Sequence, residues 1–573
     1  MPVYNADVAR IFNQVADLLE IEGANQYRVR AYRDAARSIS TLSRSVVDMV
    51  EQGEDLTELP GIGEDLAGKI EEIVKTGDLK QLEEIEQRTP PELAQMLKVA
   101  GLGPKRVQTI HEELGVTTLE GLKEAAEEGQ IADLSGLGEK TEQKILEDLE
   151  QWSEEDEQRT RIDVAEEVVQ PLLEFLRRWE GIQQVEAAGS YRRRQETVGD
   201  LDILAISDRG EETVSRFVNY EDVDEIVAQG DTRSTVMFRS GLQVDLRVVV
   251  KESYGAALLY FTGSKAHNIA LRNMALDEGR KISEYGVFEG EEQIAGQTEE
   301  EIYSLFDLPL IPPELREDRG EIEAARKGEL PQLVTLEDLR GDLQSHTTAS
   351  DGRATLKEMA RSAQKHGYDY FAITDHSGYI GVTQGLDAEE LVARIDEIKQ
   401  LNEEMEDIAL LTGIEVDIMK DGSLDLPDDV MEKLDVVVFS VHSHFDLPRD
   451  KQTERIIRAM DNPNVNILAH PTGRRIGDRP PYDVDVERLM EAALERGCFL
   501  EVNAQLARLD LNDVHCKMAK DRGLKLSIAT DAHSTAELAF MRYGVYQARR
   551  GWLEPENVLN TRGWDDLKEL FDR

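Results

Sequence analysis

The run Gly189-Ser190-Tyr191-Arg192-Arg193-Arg194-Gln195-Glu196-Thr197-Val198-Gly199-Asp200-Leu201-Asp202-Ile203-Leu204 decides how this chain is read. Its end, Leu201 to Ser207, has the composition of a β-strand. Alternate strand residues point the same way, so Asp200 and Asp202 share a face. A third carboxylate, Asp245 of Val244-Asp245-Leu246, lies in another β-like run, Gln243 to Val250, and can join them from a neighbouring strand. Three converging carboxylates on an apolar-backed sheet repel one another unless divalent cations lie between them, roughly 3.5–4 Å apart in a two-metal site. Asp-x-Asp alone is commonly a solvated strand face. Here a Gly-Ser loop and an arginine pair precede it, and the solvated-face reading loses its weight.

On the N-terminal side the pattern from Ala6 to about Glu150 is helical, and a short element recurs three times: Leu59-Pro60-Gly61-Ile62-Gly63, Val99-Ala100-Gly101-Leu102-Gly103 and Leu134-Ser135-Gly136-Leu137-Gly138. A hydrophobic residue between two glycines at a helix start makes a tight hairpin whose exposed N–H groups can hold a phosphate at the positive helix end. One copy is as readily a turn between packed helices. Three copies point to DNA-backbone binding at Gly61, Gly63, Gly101, Gly103, Gly136 and Gly138. Backbone amides read no base sequence and survive an acidic surface better than a lysine patch.

On the C-terminal side, residues 160 to 250 mix helix and strand, with a further run at Val236 to Phe238, and a helical tract with turns follows to about Glu314. Leu308 to Glu337, with Pro309, Pro312, Pro313 and Pro331 among charges, reads as a linker. Seven short apolar strands follow, at about 341–345, 370–374, 408–415, 435–441, 465–469, 498–502 and 525–530, with helical patterns between most of them. That is a βα barrel of seven units. Of ten histidines in the chain, His346, His376, His442, His470 and His533 fall at the C-terminal ends of these strands, joined by Glu415 and Asp531. That face of a βα barrel gathers side chains into one pocket, and imidazole with carboxylate suits zinc, manganese or iron, so a multinuclear metal site is expected.

The 573 residues allow three to five compact units. A net charge of −50, from 116 acidic and 66 basic residues, is unusual for a nucleic-acid binder, but 40% hydrophobic residues exclude a disordered acidic chain. The acid reads as a coat over the whole surface, similar to proteins of salt-accumulating microbes, where molar salt shortens the Debye length to roughly 3 Å. Two cysteines, Cys498 and Cys516, offer neither a disulfide framework nor a CxxC zinc site, and suit a reducing compartment. No basic-then-apolar leader and no run of about 18 apolar residues occurs, so a soluble cytoplasmic protein is expected, with no membrane partner.

The Gly189 to Leu204 run resembles the nucleotidyltransferase motif of family X DNA polymerases, and Tyr260-Phe261-Thr262-Gly263-Ser264-Lys265-Ala266-His267-Asn268 with Arg272 resembles their thumb segment. The resemblance, which spans nearly the whole chain and is similar to the bacterial and archaeal members, implies a DNA-directed DNA polymerase. Asp200, Asp202 and Asp245 would hold Mg2+ or Mn2+, with Asp245 accepting the primer 3′-hydroxyl proton. Arg161, Gly189, Ser190 and Arg193 would bind triphosphate oxygens. Tyr260 and Phe261, beside Gly263, would line the sugar of the incoming dNTP, with Asn268 and Arg272 facing the nascent pair. Lys69 stands where animal relatives carry a lyase lysine, near Tyr32 and Arg28, but Asp65 one turn away favours its charged form and works against Schiff-base chemistry.

The runs Asp342-Leu343-Gln344-Ser345-His346, Asp351-Gly352, Thr374-Asp375-His376-Ser377, Gly413-Ile414-Glu415, Ser440-Val441-His442-Ser443, Ala469-His470-Pro471 and Thr530-Asp531-Ala532-His533 resemble the polymerase-and-histidinol-phosphatase (PHP) family. Its pattern implies up to three Mn2+, Zn2+ or Fe2+ ions: one on Gln344, His346, Glu415 and Asp531, one on Glu415, His442 and His470, and one on Asp351, His376 and His533. Gln344 departs from the histidine of many members and is a weaker ligand. Such a centre implies 3′-5′ exonuclease action, with incision at abasic sites a second activity of the same ions.

The expected chain is thus multidomain. An all-α helix-hairpin-helix region comprises an N-terminal domain (1–80) and fingers (81–155). An α+β nucleotidyltransferase palm (156–252), a thumb (253–316), a linker (317–337) and a distorted (β/α)7 PHP barrel (338–573) follow. It is expected to fill gaps in gapped or primer-template DNA during base excision repair, as a monomer. The rival readings are a DNA-end scaffold, or a PHP phosphatase with a degenerate polymerase half.

Overall fold

The computed structural model describes residues 5–40, 46–59, 61–97, 99, 102–134, 137–151, 159–378 and 385–572. Asn5–Ile21 begins a helical region because Val8, Ile11, Phe12, Val15, Leu18 and Leu19 recur at helical spacing and are all buried. The hairpin element folds the same way three times. The hydrophobic residue between the glycines is buried, and its N–H donates to the carbonyl three residues earlier: Ile62 to Leu59 (3.1 Å), Leu102 to Val99 (3.0 Å) and Leu137 to Leu134 (3.1 Å). Gly63 and Gly103 are the N-caps of Glu64–Thr76 and Pro104–Leu114, and Gly138 accepts the first bonds of Glu139–Gln151. Gly61 turns the chain at φ +75°, a conformation that favours glycine. Gly101 and Gly136 lie outside the described residues.

A five-stranded sheet follows, in the order Gln184–Ala187, Asp200–Ile206, Gln243–Val249, Arg233–Phe238, Val223–Gln229. Asp200–Ile206 and Gln243–Val249 pair in parallel and the other pairs are antiparallel. Leu201, Ile203 and Ala205 pack with helices Ile162–Arg177 and Gly210–Val218, while Leu204 and Ile206 on the opposite face meet Tyr254, Ala257 and Leu258 of helix Tyr254–Thr262. Parity therefore turns Asp200 and Asp202 toward that helix.

Beyond it, the tract expected to be helical with turns also contains a three-stranded antiparallel sheet, Arg280–Ser283, Gly286–Glu289 and Glu292–Ala295. Four-residue strands with Ile282, Val287 and Ile294 among charges carry too short an alternation to be read in advance. The stretch expected to be a linker makes buried contacts. Arg316 is fully buried and pairs with Glu299 at 2.5 Å. Glu321, opening helix Glu321–Lys327, accepts from His267 Nδ1 at 2.6 Å, and His267 Nε2 meets the Tyr303 hydroxyl at 2.9 Å. Charged residues of this stretch thus pair with groups 17 and 54 residues away in sequence.

The C-terminal unit is a nearly closed barrel of seven parallel strands in chain order: Gly341–Asp342, Tyr370–Ile373, Ala409–Asp417, Val436–Ser440, Ile467–Leu468, Phe499–Asn503 and Leu526–Ala529. A bridge between Ser345 and Ala532 ties the first rim to the last. Phe371, Ile373, Val437 and Phe439 pack on the outer helices, and Tyr370, Ala372, Val436 and Val438 on the other face meet Leu567 and Phe571 of helix Trp564–Phe571. Helix Met541–Arg550 joins the barrel to the five-stranded unit: the Tyr543 hydroxyl donates to Glu166 (2.6 Å), and Arg550 Nη1 to the Arg193 carbonyl (2.9 Å). Among the described residues no helix is long and apolar enough to cross a membrane.

Two candidate metal-dependent active sites

In the five-stranded sheet the parallel register sets Asp202 directly beside Asp245. Asp245 accepts from the Thr235 hydroxyl and from Gln243 Nε2 (2.8 Å), which aim its carboxylate. Gly189, at φ +61°, lies under the Asp202 carboxylate, and a Cβ there would stand 2.6 Å from Asp202 Oδ2. Only glycine lets the Gly189–Arg192 turn, which carries Ser190, come this close. Arg193 donates to the Thr262 carbonyl and through Nε to Glu317 (3.0 Å), so the arginine, the end of helix Tyr254–Thr262 and the following segment meet over the aspartates. The Arg193 guanidinium also lies 3.1 Å from a Cβ placed on Gly263.

The aromatic pair adjoins this pocket. The Tyr260 and Phe261 rings meet edge to face at 5.1 Å, Arg247 lies over Phe261 and Arg272 over Tyr260, and Asn268 Nδ2 donates to the Tyr260 carbonyl (2.7 Å). Arg161 is not brought to the aspartates. It makes a two-point pair with Asp163 (3.0 and 2.7 Å), and the charges acting on it are those of Asp163 and Glu167. Arg159, which the sequence analysis passed over, acts on Asp200 and bonds the Thr197 hydroxyl (2.9 Å). An exposed arginine in a charged run gave no signal of its own.

Burial, then the charges of Asp200 and Asp245, push the Asp202 carboxyl up to about 7; burial and Asp245 likewise raise Asp200. A divalent cation would relieve this repulsion, and the all-oxygen donor set fits a hard ion. Because the folded chain holds the Asp202 proton more firmly than the ordinary value of 3.8, that stabilisation is full below about pH 4 and is lost as pH rises through about 7. The slope within that window is at most about 1.4 kcal/mol per pH unit. Metal-free protein is therefore expected to melt lower at pH 8 than at pH 6, and Mg2+ to raise Tm more at pH 8. Asp202→Asn should remove this pH-dependent part; identical Mg2+ shifts in both proteins at both pH values would refute it.

At the barrel mouth, three overlapping groups have ligand atoms within 4.8 Å of one another: His346, Asp351, His376 and His533; His376, Glu415 and His442; and His346, Glu415 and Asp531. His346 Nε2 lies 3.0 Å from Asp531 Oδ1 and 3.3 Å from Glu415 Oε2; His470 and His442 Nε2 lie 3.2 and 3.4 Å from Glu415 Oε1; His533 Nε2 lies 3.2 Å from Asp351. Two ligands about 2.0–2.2 Å from one ion at the tetrahedral angle stand about 3.4 Å apart, so these spacings suit shared ions. The Gln344 Oε1 and His376 Nδ1 atoms are buried with no hydrogen-bond partner, as coordinating atoms would be. Gln344 uses its Nε2 to bond Glu415 (2.9 Å), leaving Oε1 for an ion. The resemblance implied sets in which Glu415 alone is shared; here His346 and His376 each belong to two groups as well, and His470, 3.2 Å from Glu415, belongs to none of the three.

Residues 3–79 match a helix-hairpin-helix domain, 92–151 a SAM-like helix-hairpin-helix tandem, 257–317 the DNA polymerase beta thumb and 342–505 the PHP domain. The DNA polymerase/3′-5′ exonuclease PolX of Bacillus subtilis strain 168 is 39% identical over 575 residues, covering 100% of both chains. The chain belongs to the family X DNA polymerases. Probable phosphatases of Thermoanaerobacter sp. strain X514 and Acetivibrio thermocellus are 32% and 28% identical over 232 and 206 residues. These stretches are 38% and 34% of this chain, and 90% and 80% of those proteins.

In this family X polymerase the groups that orient the barrel ligands went unread in the sequence. Asp417 Oδ1 is 3.0 Å from His442 Nδ1, which leaves Nε2 facing Glu415. Burial, then Glu415, raises Asp417 to about 7. Asp417 stands two residues after Glu415 on the same strand, and strand parity would have found it. Glu501 accepts the His470 backbone N–H (2.7 Å), and burial beside Asp531 holds its carboxyl well above the usual range. Lys69 pairs with Asp65, 5.7 Å from the centre of the Tyr32 ring.

Proposed function

We propose that this polymerase fills short gaps in DNA during base excision repair and that its barrel removes blocked or mismatched 3′ ends. The observation that carries the reading is Asp202 set beside Asp245 and near Asp200, with Gly189 under its carboxylate, in a chain matched end to end by a DNA polymerase/3′-5′ exonuclease. Divalent cations, Mg2+ or Mn2+ in the palm and Mn2+, Zn2+ or Fe2+ in the barrel, supply charge neutralisation and a lowered pKa of bound hydroxyl or water.

The chain's own residues do the rest. Asp245, held by Thr235 and Gln243, takes the primer 3′-hydroxyl proton. Ser190, the Gly189 amide and Arg193 bind triphosphate oxygens, and Arg193 must exchange Glu317 for the nucleotide to do so. Tyr260 and Phe261 crowd the sugar, and Asn268 and Arg272 face the new pair. The hairpins at Gly61, Gly63, Gly103 and Gly138 hold the DNA backbone through amides. Lys69 is engaged by Asp65 in an ion pair, a contact that lyase chemistry there would have to break. We take the functional divisions to fall near residues 80, 155, 252, 316 and 337, and the protein to act as a monomer whose acid surface suits high salt. A phosphatase reading leaves most of the chain unused, since those relatives match at most 38% of it.

The test is a gapped, 5′-labelled primer-template with Mg2+ or Mn2+, in low and high KCl. Extension with dNTPs and shortening without them are expected; if neither occurs at any salt, a scaffold role replaces the reading.

A further inference from the structure

A cleft of about 1140 Å³ lies between the N-terminal helices and the barrel mouth. One wall carries Gly61 and Gly103 of the first two hairpins with Arg30 and Lys105; the other carries Arg353 and Asp351. Asp351 stands 3.2 Å from His533 in the candidate metal cluster, so the cleft opens onto that centre. Its lining holds five basic residues against three acidic ones, one of them Asp351, in a chain whose acids outnumber bases 116 to 66. Arg30 and Lys105 are exposed and have no ion-pair partner among the described residues. Unpaired cations facing a cleft in so acidic a chain do little for the fold, and their charge suits phosphates.

We propose that this cleft leads a DNA 3′ end from the hairpins to the barrel's metal centre, with Arg30, Lys105 and Arg353 meeting its phosphates. The proposal rests on the exonuclease reading of the barrel.

Arg30→Glu in the full chain with Mn2+ tests it, because Arg30 is exposed on helix Gln26–Ser40 and is not among the metal-binding groups. Three rates are read: trimming of a 5′-labelled single-stranded oligonucleotide, hydrolysis of bis(p-nitrophenyl) phosphate, which needs no cleft, and gap extension. Trimming is expected to fall about tenfold, with the slope of its logarithm against log[KCl] shallower by about 0.7. The other two rates should stay within twofold, and Arg30→Lys should retain trimming. Unchanged trimming, or a parallel loss of small-ester hydrolysis, overturns the proposal. A wild-type chain that hydrolyses neither substrate overturns the exonuclease reading itself, and the proposal with it.

Discussion

Asp202→Ala is expected to lower primer extension by at least about 10³-fold while 3′ trimming stays within twofold. Asp202 has a carboxyl raised to about 7 by burial and then by Asp200 and Asp245, sits beside Asp245 in the parallel register, and has its Oδ2 over Gly189. Removing it takes away one wall of the candidate ion site and the group that faces the Gly189 turn. The fold should survive, because alanine removes a carboxyl that burial, and then the charges of Asp200 and Asp245, push up to about 7. Gap extension on a 5′-labelled primer, with melting measured alongside, checks both halves. A loss below tenfold would move the catalytic centre away from this strand.

Glu415→Gln is expected to do the converse: trimming falls at least about 10²-fold, bound metal per chain drops, and extension stays within twofold. Glu415 is buried at the junction of two of the three ligand groups, facing His346 through one oxygen and His442 and His470 through the other. The amide keeps the volume but removes the charge that draws cations, and it turns an N–H donor toward atoms that need an acceptor. Metal analysis of the purified variant separates ligand loss from misfolding. Equal loss of extension and trimming would mean that the two centres are not independent, which Arg550 bonding to the Arg193 carbonyl and to Glu317 makes physically conceivable.

Local periodicity explains how much was legible. The Gly-x-Gly turns repeat, and each places its hydrophobic residue in the core with the same backbone bond, so three hairpins were readable from spacing. The barrel strands are buried on both faces and stand out as short apolar runs. Asp200 and Asp202 share a face by strand parity, whatever the sheet around them. The exposed edge strand Val223–Gln229 and the four-residue thumb strands carry no such pattern, and they went unread.

What the sequence by itself determined is the inventory: helical hairpins, a strand with two aspartates, seven buried strands, and five histidines with their carboxylates at the strand ends. These follow from rules acting over two to four residues. Only the tertiary structure decided that Arg159 rather than Arg161 lies by Asp200, that His376 is shared between ligand groups, and that Glu321, Ile322, Ala325 and Val334 of the linker segment are buried. It also decided that a basic cleft joins the hairpins to the barrel. Each of these depends on partners tens to hundreds of residues apart, brought together by burial and sheet register, and no local pattern encodes that meeting.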